Sequence, residues 1–284
     1  MKKLHLQHLL EINLAMFFIA TSGALGRYVQ LPVTVTIGAR AILACFALVA
    51  FCWYKKYSFK IKRSDWTLIG LTGVLMCVHW LTYFYALQLS SVAIGMLSLF
   101  TYPVITAFLE PLVLGTKFQR IHFLLAVLVL VGMYMLSPSL DLKNSNSIAV
   151  GFGVLSALVY AIRNILLKKK VSEYNGSVIM VYQTAITGVV LLPFLGTVPL
   201  VQVVTQWQAL ITLAILTTAI GHTLFLMTFK HFTITTVSIL SSIQPIYGIL
   251  IGALFLAEIP QVNTIVGGIL ILSSVVIESI RTKS

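Results

Sequence analysis

Ten apolar segments, each near the length of a membrane span, alternate with short polar joins along the chain. They run Leu9–Leu25, Pro32–Tyr54, Trp66–Leu87, Ser91–Gly115, Ile121–Leu136, Ile148–Leu167, Val178–Leu195, Trp207–Phe229, Thr235–Ala257 and Val262–Ile280. A bilayer core about 30 Å thick takes about 20 apolar residues at a rise of about 1.5 Å each. Each segment therefore predicts one transmembrane helix, with some allowance for tilt. The joins leave no room for a soluble domain. The longest polar stretch, Ser137–Ser147, divides the chain into 1–140, holding spans one to five, and 141–284, holding spans six to ten. The expected fold is an all-α membrane protein of ten transmembrane helices.

The two halves repeat one pattern. Ser91–Thr116 and Thr233–Glu258 align at a constant offset of 142, half of the 284 positions, with Pro103 laid on Pro245. The same offset pairs Val92 with Ile234, Leu112 with Leu254, and Gly115-Thr116 with Ala257-Glu258. Each copy carries small and hydroxyl residues early, then a mid-segment proline. Proline removes a backbone donor and clashes with the preceding turn, so both copies are expected to be kinked or broken helices. Broken helices at matching places in two half-chains are the sequence pointer to a transporter's central site. Because five spans form a half, the second half starts from the opposite side of the membrane, which makes the repeats inverted.

Composition supports the membrane reading. Charged residues are 9% of the chain, hydrophobic residues 59%, and mean hydropathy is +1.00. A soluble domain carries about 25% charged residues, so this surface must face lipid. The net charge of +12 raises a nucleic-acid partner, but the basic residues are distributed as a membrane protein distributes them. With the N-terminus in the cytoplasm, 15 of the 19 Lys and Arg fall inside, and only Arg27 and Lys143 fall outside. Arg40 and Arg163 lie within spans. That asymmetry follows the positive-inside rule and places both termini in the cytoplasm of a cell (inner) membrane, with no nucleic-acid partner. Lys2 and Lys3 before an apolar run, with Ala20–Gly26 beyond, look like a secretory signal. The ten-span count uses that run as an uncleaved first span. Cys45, Cys52 and Cys77 show neither metal spacing nor a disulfide framework and are expected to be small core residues.

Polar groups inside spans are the candidates for function. Arg40 lies about 10 Å below the outer surface; it is either a gating charge or a structural tie to helix-end carbonyls. Glu110 and Arg163 fall at similar depths, about 28 and 22 Å from the outer ends of their spans, and are expected to pair as an inner gate. The alternative has Arg163 reaching toward the cytoplasm and Glu110 protonated or at interfacial water. His79 and His222 sit one residue from repeat equivalence. Helical spacing places Thr82, Tyr83 and Ala86 on the first face, and Thr218, Phe225 and Phe229 on the second. Each histidine is a proton-exchanging group or a hydrogen-bonded core residue. Neither has a carboxylate at helical spacing, so no metal site is expected. Tyr83, Tyr102, Tyr160, Tyr182 and Tyr247 offer an apolar face and a polar tip suited to amphipathic ligands. Gln244, after Ser241 and Ser242, offers hydrogen bonds at the kink, although the serines also serve backbone groups freed by Pro245. Gly248 and Gly252 form a small-xxx-small pair expected to pack helices.

These features together resemble the EamA-type members of the drug/metabolite transporter superfamily over essentially the whole length. The matching residues are Arg40 in IGARAILACFAL, the paired Pro103 and Pro245, and Leu256-Ala257-Glu258, which is similar to the family's Leu-Gly-Glu ending of the ninth span. The first half departs, with Leu114-Gly115-Thr116 and an earlier Glu110. The resemblance implies a ten-helix bundle around a central substrate cavity, and a family that includes exporters of amino acids and other metabolites. The expected function is secondary transport, most simply export, of neutral or aromatic amino acids or similar amphipathic compounds by a monomer or homodimer. Uptake of a nutrient or amine is the alternative within transport, and a passive channel the alternative outside it. No enzyme motif such as H-E-x-x-H, G-x-S-x-G or a P-loop occurs, so neither an enzyme nor a cofactor is expected.

Overall fold

The computed structural model describes residues 2–115, 120–136, 143–168, 170–232, 237 and 240–282. Thr116, positions 137–142 of the predicted join and the start of the ninth segment at 233–236 lie outside the described residues.

Among the described residues the chain is helical and holds no strand. The helices are α1 Lys2–Tyr28, α2 Val33–Tyr54, α3 Trp66–Leu89, α4 Val92–Leu99, α5 Tyr102–Leu114, α6 Ile121–Leu136, α7 Ser145–Lys168 and α8 Gly176–Leu191. There follow α9 Leu200–Thr205, α10 Trp207–Thr212, α11 Thr223–Thr228, α12 Ile243–Leu256 and α13 Val262–Thr282. Seven helical stretches are long and apolar enough to cross a bilayer, and three shorter apolar helices, Phe123–Leu136, Ile243–Leu256 and Val262–Ile277, stand at segments five, nine and ten. The protein is multi-pass.

The fourth segment breaks where its proline predicts. α4 starts on an N-cap, Ser91 Oγ accepting from Ile94 N at 3.2 Å. It stops at Leu99, and α5 begins at Tyr102 with Pro103 in its first turn. There the missing N–H is no loss, because first-turn donors have no intrahelical partner. Hydroxyls take up the carbonyls around the break: Thr101 Oγ1 donates to Ser98 O at 2.8 Å, and Ser98 Oγ to Ile94 O at 2.7 Å. The second half repeats the device. Ser241 and Ser242 form a turn, α12 starts at Ile243, and Pro245 lies in its first turn. The Ser241 hydroxyl donates to Val237 O.

Both broken segments close on a left-handed residue, Gly115 with φ 71° and Ala257 with φ 54°. Glycine adopts that region freely, whereas alanine is strained there.

Two features escaped the hydrophobic pattern. Leu213–His222 in the eighth segment is π-helical, between α10 and α11. Between segments seven and eight, α9 exposes Leu200, Val201 and Val204.

Helix packing follows the repeat. α3 lies on α7, and α1 on the π-helical stretch; α2 meets α8, α4 meets α12, and α6 meets α13. Glycines let the central pair approach. A Cβ on Gly248 would lie 1.9 Å from Met96 Sδ, and one on Gly252 would lie 3.2 Å from Val92 Cβ. The expected packing role of this pair holds. The cysteines are free thiols, Cys52 and Cys77 buried in the core.

Candidate functional site

A small cavity of about 20 Å³ lies where the two halves meet. A space that size holds about one water, so the bundle is closed around it. Its walls come from both repeats: Ile19 and Ser22 of α1, Arg40 of α2, His79, Trp80 and Tyr83 of α3, Leu99, Phe100 and Tyr102 at the first break, Tyr160 of α7, His222 of the π-helical stretch and Gln244 of α12. Both breaks put side chains on it, Tyr102 one residue before Pro103 and Gln244 one before Pro245. Breaking the helices is what lets these residues converge.

The polar atoms are arranged around three contacts. Ser156 Oγ donates to His79 O at 2.9 Å and lies 2.8 Å from His79 Nδ1, so the ring donates from Nδ1 and keeps Nε2 as an acceptor. The same ring stacks on Tyr160 with centroids 4.3 Å apart. Trp80 Nε1 donates to His222 Nε2 at 3.4 Å, which puts the His222 proton on Nδ1, an atom with no hydrogen-bond partner. Trp80 and His222 are separated by the repeat offset, so equivalent positions of the two halves touch at the centre. Tyr102 Oη donates to Ser241 Oγ at 2.9 Å, tying one break to the other.

Arg40 is fully buried beside them. Its Nε donates to Thr218 Oγ1 at 2.6 Å, and its guanidinium lies 4.5 Å over the Trp80 ring. Thr218 in turn donates to Leu213 O at 2.9 Å, five residues back along the π-helical stretch.

Of the residues singled out from sequence, His79, Tyr83, Tyr102, Tyr160, His222 and Gln244 line this cavity together, and Arg40 joins them. Tyr182 and Tyr247 do not. Tyr182 Oη donates to Phe59 O at 2.6 Å, with its ring edge-on to Trp66. Tyr247 faces Phe17 and Asn13. Each lies on a face of its helix turned to other neighbours, and aromatic content alone cannot resolve the face.

The expected Glu110–Arg163 pair is also absent from Arg163's contacts. Arg163 Nη1 donates to Asn164 Oδ1 at 2.8 Å, Nη2 donates to Gln183 Oε1, and the guanidinium lies 5.9 Å from the Tyr160 ring. Glu110 is half-buried and acts electrostatically on Lys168. The helices that carry the two residues pack against each other, but the Arg163 guanidinium turns to Asn164 and to Gln183 of α8. Ile19, Ser22, Leu99 and Phe100 also line the cavity and were not singled out.

Each end of the bundle is closed by an ionic network. At one end Arg27 Nε donates to Glu258 Oε1 at 3.0 Å, and Arg27 Nη1 to Gln88 O at 2.8 Å. Glu258 Oε2 accepts from Val92 N at 2.8 Å, capping α4. These residues border an outer cleft of about 570 Å³, which Arg27, Ser91 and Glu258 line. At the other end Lys170 Nζ reaches Asp65 Oδ1 at 3.1 Å and Glu173 Oε1 at 2.8 Å, Lys62 Nζ reaches Glu173 Oε2 at 2.9 Å, and Tyr174 Oη donates to Asp65 Oδ2 at 2.6 Å. Lys170 and Lys62 hold the Glu173 carboxyl below the ordinary value of 4.5, and the Glu173 bond raises Lys170 above 10.5. Lys168 Nζ donates to Phe229 O and Phe232 O, both at 2.6 Å.

Three similarities bear on this architecture. An uncharacterized transporter of Archaeoglobus fulgidus is 28% identical over 239 residues, 84% of this chain and 83% of its own length. A Pseudomonas aeruginosa protein named pseudopaline exporter CntI is 23% identical over 237 residues, 83% of this chain and 82% of its own. A solved crystal structure matches at a TM-score of 0.69 with 14% identity, covering 98% of this chain and 99% of its own, a likeness of fold. The model of the EamA-like transporter family matches residues 9–137 and again 147–280, so this chain belongs to that family of membrane transporters.

Proposed function

We propose that the protein is a secondary transporter that exports small organic metabolites, neutral or aromatic amino acids or similar amphipathic compounds. It has ten spans as two inverted repeats, 1–140 and 141–284, and both termini are in the cytoplasm of the inner membrane. The observation that carries this reading is the central cavity, walled by both repeats at their broken helices and closed at each end by a different ionic network. Releasing one network while the other holds would expose the cavity to one side at a time, which is alternating access. The relative named as an exporter supports the direction. In this orientation the Arg27–Glu258 end is outward and the Lys170–Asp65 end cytoplasmic.

Counterflow in proteoliposomes tests the mechanism. Labelled phenylalanine should accumulate transiently and saturably against preloaded unlabelled phenylalanine. Flux that is linear in concentration and shows no counterflow would mark a channel instead. Cysteines placed at Ser145 and Ser58 should label from outside and inside respectively; labelling of both from one side would refute the topology.

A further inference from the structure

We propose that Arg40 is the carboxylate anchor of the central cavity, and that the compound carried is an organic acid with an apolar or aromatic body. The proposal rests on the transport reading above and names the chemistry of its substrate.

Arg40 is 1% exposed and lines the cavity. Its Nε is satisfied by Thr218, but neither Nη1 nor Nη2 has a hydrogen-bond partner. The face of the guanidinium is used, lying 4.5 Å over Trp80 and 5.5 Å over Phe84. Stacking occupies the face of this planar group and leaves its edge free. The edge presents parallel N–H bonds that match the two oxygens of a carboxylate. Among the described residues no Asp or Glu lines the cavity.

The second buried arginine supplies the contrast. Arg163 is just as buried, yet both of its terminal nitrogens donate to oxygens, one of Asn164 and one of Gln183. That is how this protein settles an arginine meant only to be buried. Arg40 lacks such acceptors at the atoms a ligand would reach. An unpaired buried charge is costly, so a ligand that supplies the counter-charge is bound preferentially. One fork serves one carboxylate. A multiply charged phosphate ester would need further cations that the cavity wall does not offer. Trp80, Tyr102 and Tyr160 supply the apolar surface for the rest of the molecule, and Gln244 and Ser22 supply neutral acceptors for a zwitterion's ammonium. Tyr83 Oη has Ser22 as its polar neighbour but no hydrogen bond of normal geometry, and adds another.

The test uses two matched pairs of probes on the purified full chain, phenylalanine against phenylalaninamide and phenylacetate against phenylacetamide. Binding is read by thermal stabilisation. Each acid should bind at least tenfold more tightly than its amide, about 1.4 kcal/mol. In Arg40→Gln the ratio should fall to within twofold, the acids losing the affinity that sets them apart. Should Arg40→Gln fail to fold, Arg40→Lys keeps the charge without the fork, and the acid-to-amide ratio should then fall. Amides that bind the unsubstituted protein as well as acids do, acids that do not bind, or a ratio that survives Arg40→Gln would each overturn the anchor. Counterflow separates this from the transport reading. Equal exchange of phenylalanine and phenylalaninamide leaves transport standing and removes the anchor. An Arg40-dependent acid preference without exchange of any probe does the reverse.

Discussion

Removing the Glu258 carboxylate should open the Arg27 end of the bundle. Glu258 makes two contacts there, the ion pair with Arg27 at 3.0 Å and the bond from Val92 N at 2.8 Å. The pair is 38% and 23% exposed, so it contributes only about 0.5 kcal/mol. The second contact is a hydrogen bond to a charged acceptor at a helix N-terminus, which contributes about 1.5–2 kcal/mol. Together they favour closure by about 2 kcal/mol, close to a 30-fold population ratio. The cap decides the magnitude, and the ion pair refines it. The assay is the labelling rate, by a membrane-impermeant maleimide, of a cysteine placed at the buried Ser22, with Cys45, Cys52 and Cys77 removed. Glu258→Ala should raise that rate between about 10-fold and 30-fold. The exchange Arg27→Glu with Glu258→Arg restores opposite charges but not the cap, and should recover only a few-fold of the change. Labelling within twofold of the starting rate in Glu258→Ala would refute the latch, even if the variant unfolds at a lower temperature.

Three further outcomes follow from the same contacts. Ala257→Gly relieves a left-handed alanine with φ 54° and should stabilise the protein by about 1 kcal/mol in thermal unfolding, against no change if that residue is unstrained. Gln183→Leu strips Arg163 of an acceptor in a buried site and should cost about 2–3 kcal/mol, while a double-mutant cycle between Glu110→Gln and Arg163→Gln should show coupling below about 0.5 kcal/mol. The Glu173 carboxyl is held below 4.5, so its contribution is present above that value and is lost as pH falls through the lowered one; Lys170, raised above 10.5, contributes below 10.5 and loses it as pH rises further. Stability from this network should therefore be flat from about pH 5 to pH 10 and fall outside that window, and Glu173→Gln should shrink the acid-side fall to the part left by Asp65, whose carboxyl Tyr174 and Lys170 also hold low; an acid limb unchanged in that variant would remove Glu173 as a source.

The sequence by itself determined the membrane class, the placement of the apolar segments, the two-fold repeat and the broken helices. Each of these is local or periodic. A run of about 20 apolar residues has one solvent it can face, and a proline lacks the backbone N–H that would continue a helix behind it, so it fits best at a helix start. Thus Pro103 and Pro245 marked both breaks, His79, His222 and Gln244 were legible from the repeat and the kink, and Tyr83, Tyr102 and Tyr160 from their amphipathic rings; all six line the cavity. Only the tertiary structure decided which face of each helix turns inward. Tyr182 and Tyr247 point to other neighbours because each residue along a helix turns the side chain by about 100°, so a position one or two residues off faces away from the centre. Arg163 binds Gln183 rather than Glu110 because residues at one depth on two packed helices need not face each other. The π-helical stretch at Leu213–His222 carries no hydrophobic signature, since it changes the winding of a helix and not its composition. The unpaired edge of Arg40 was likewise invisible in one dimension, because a missing partner is a property of the space around a group and not of its neighbours in the chain.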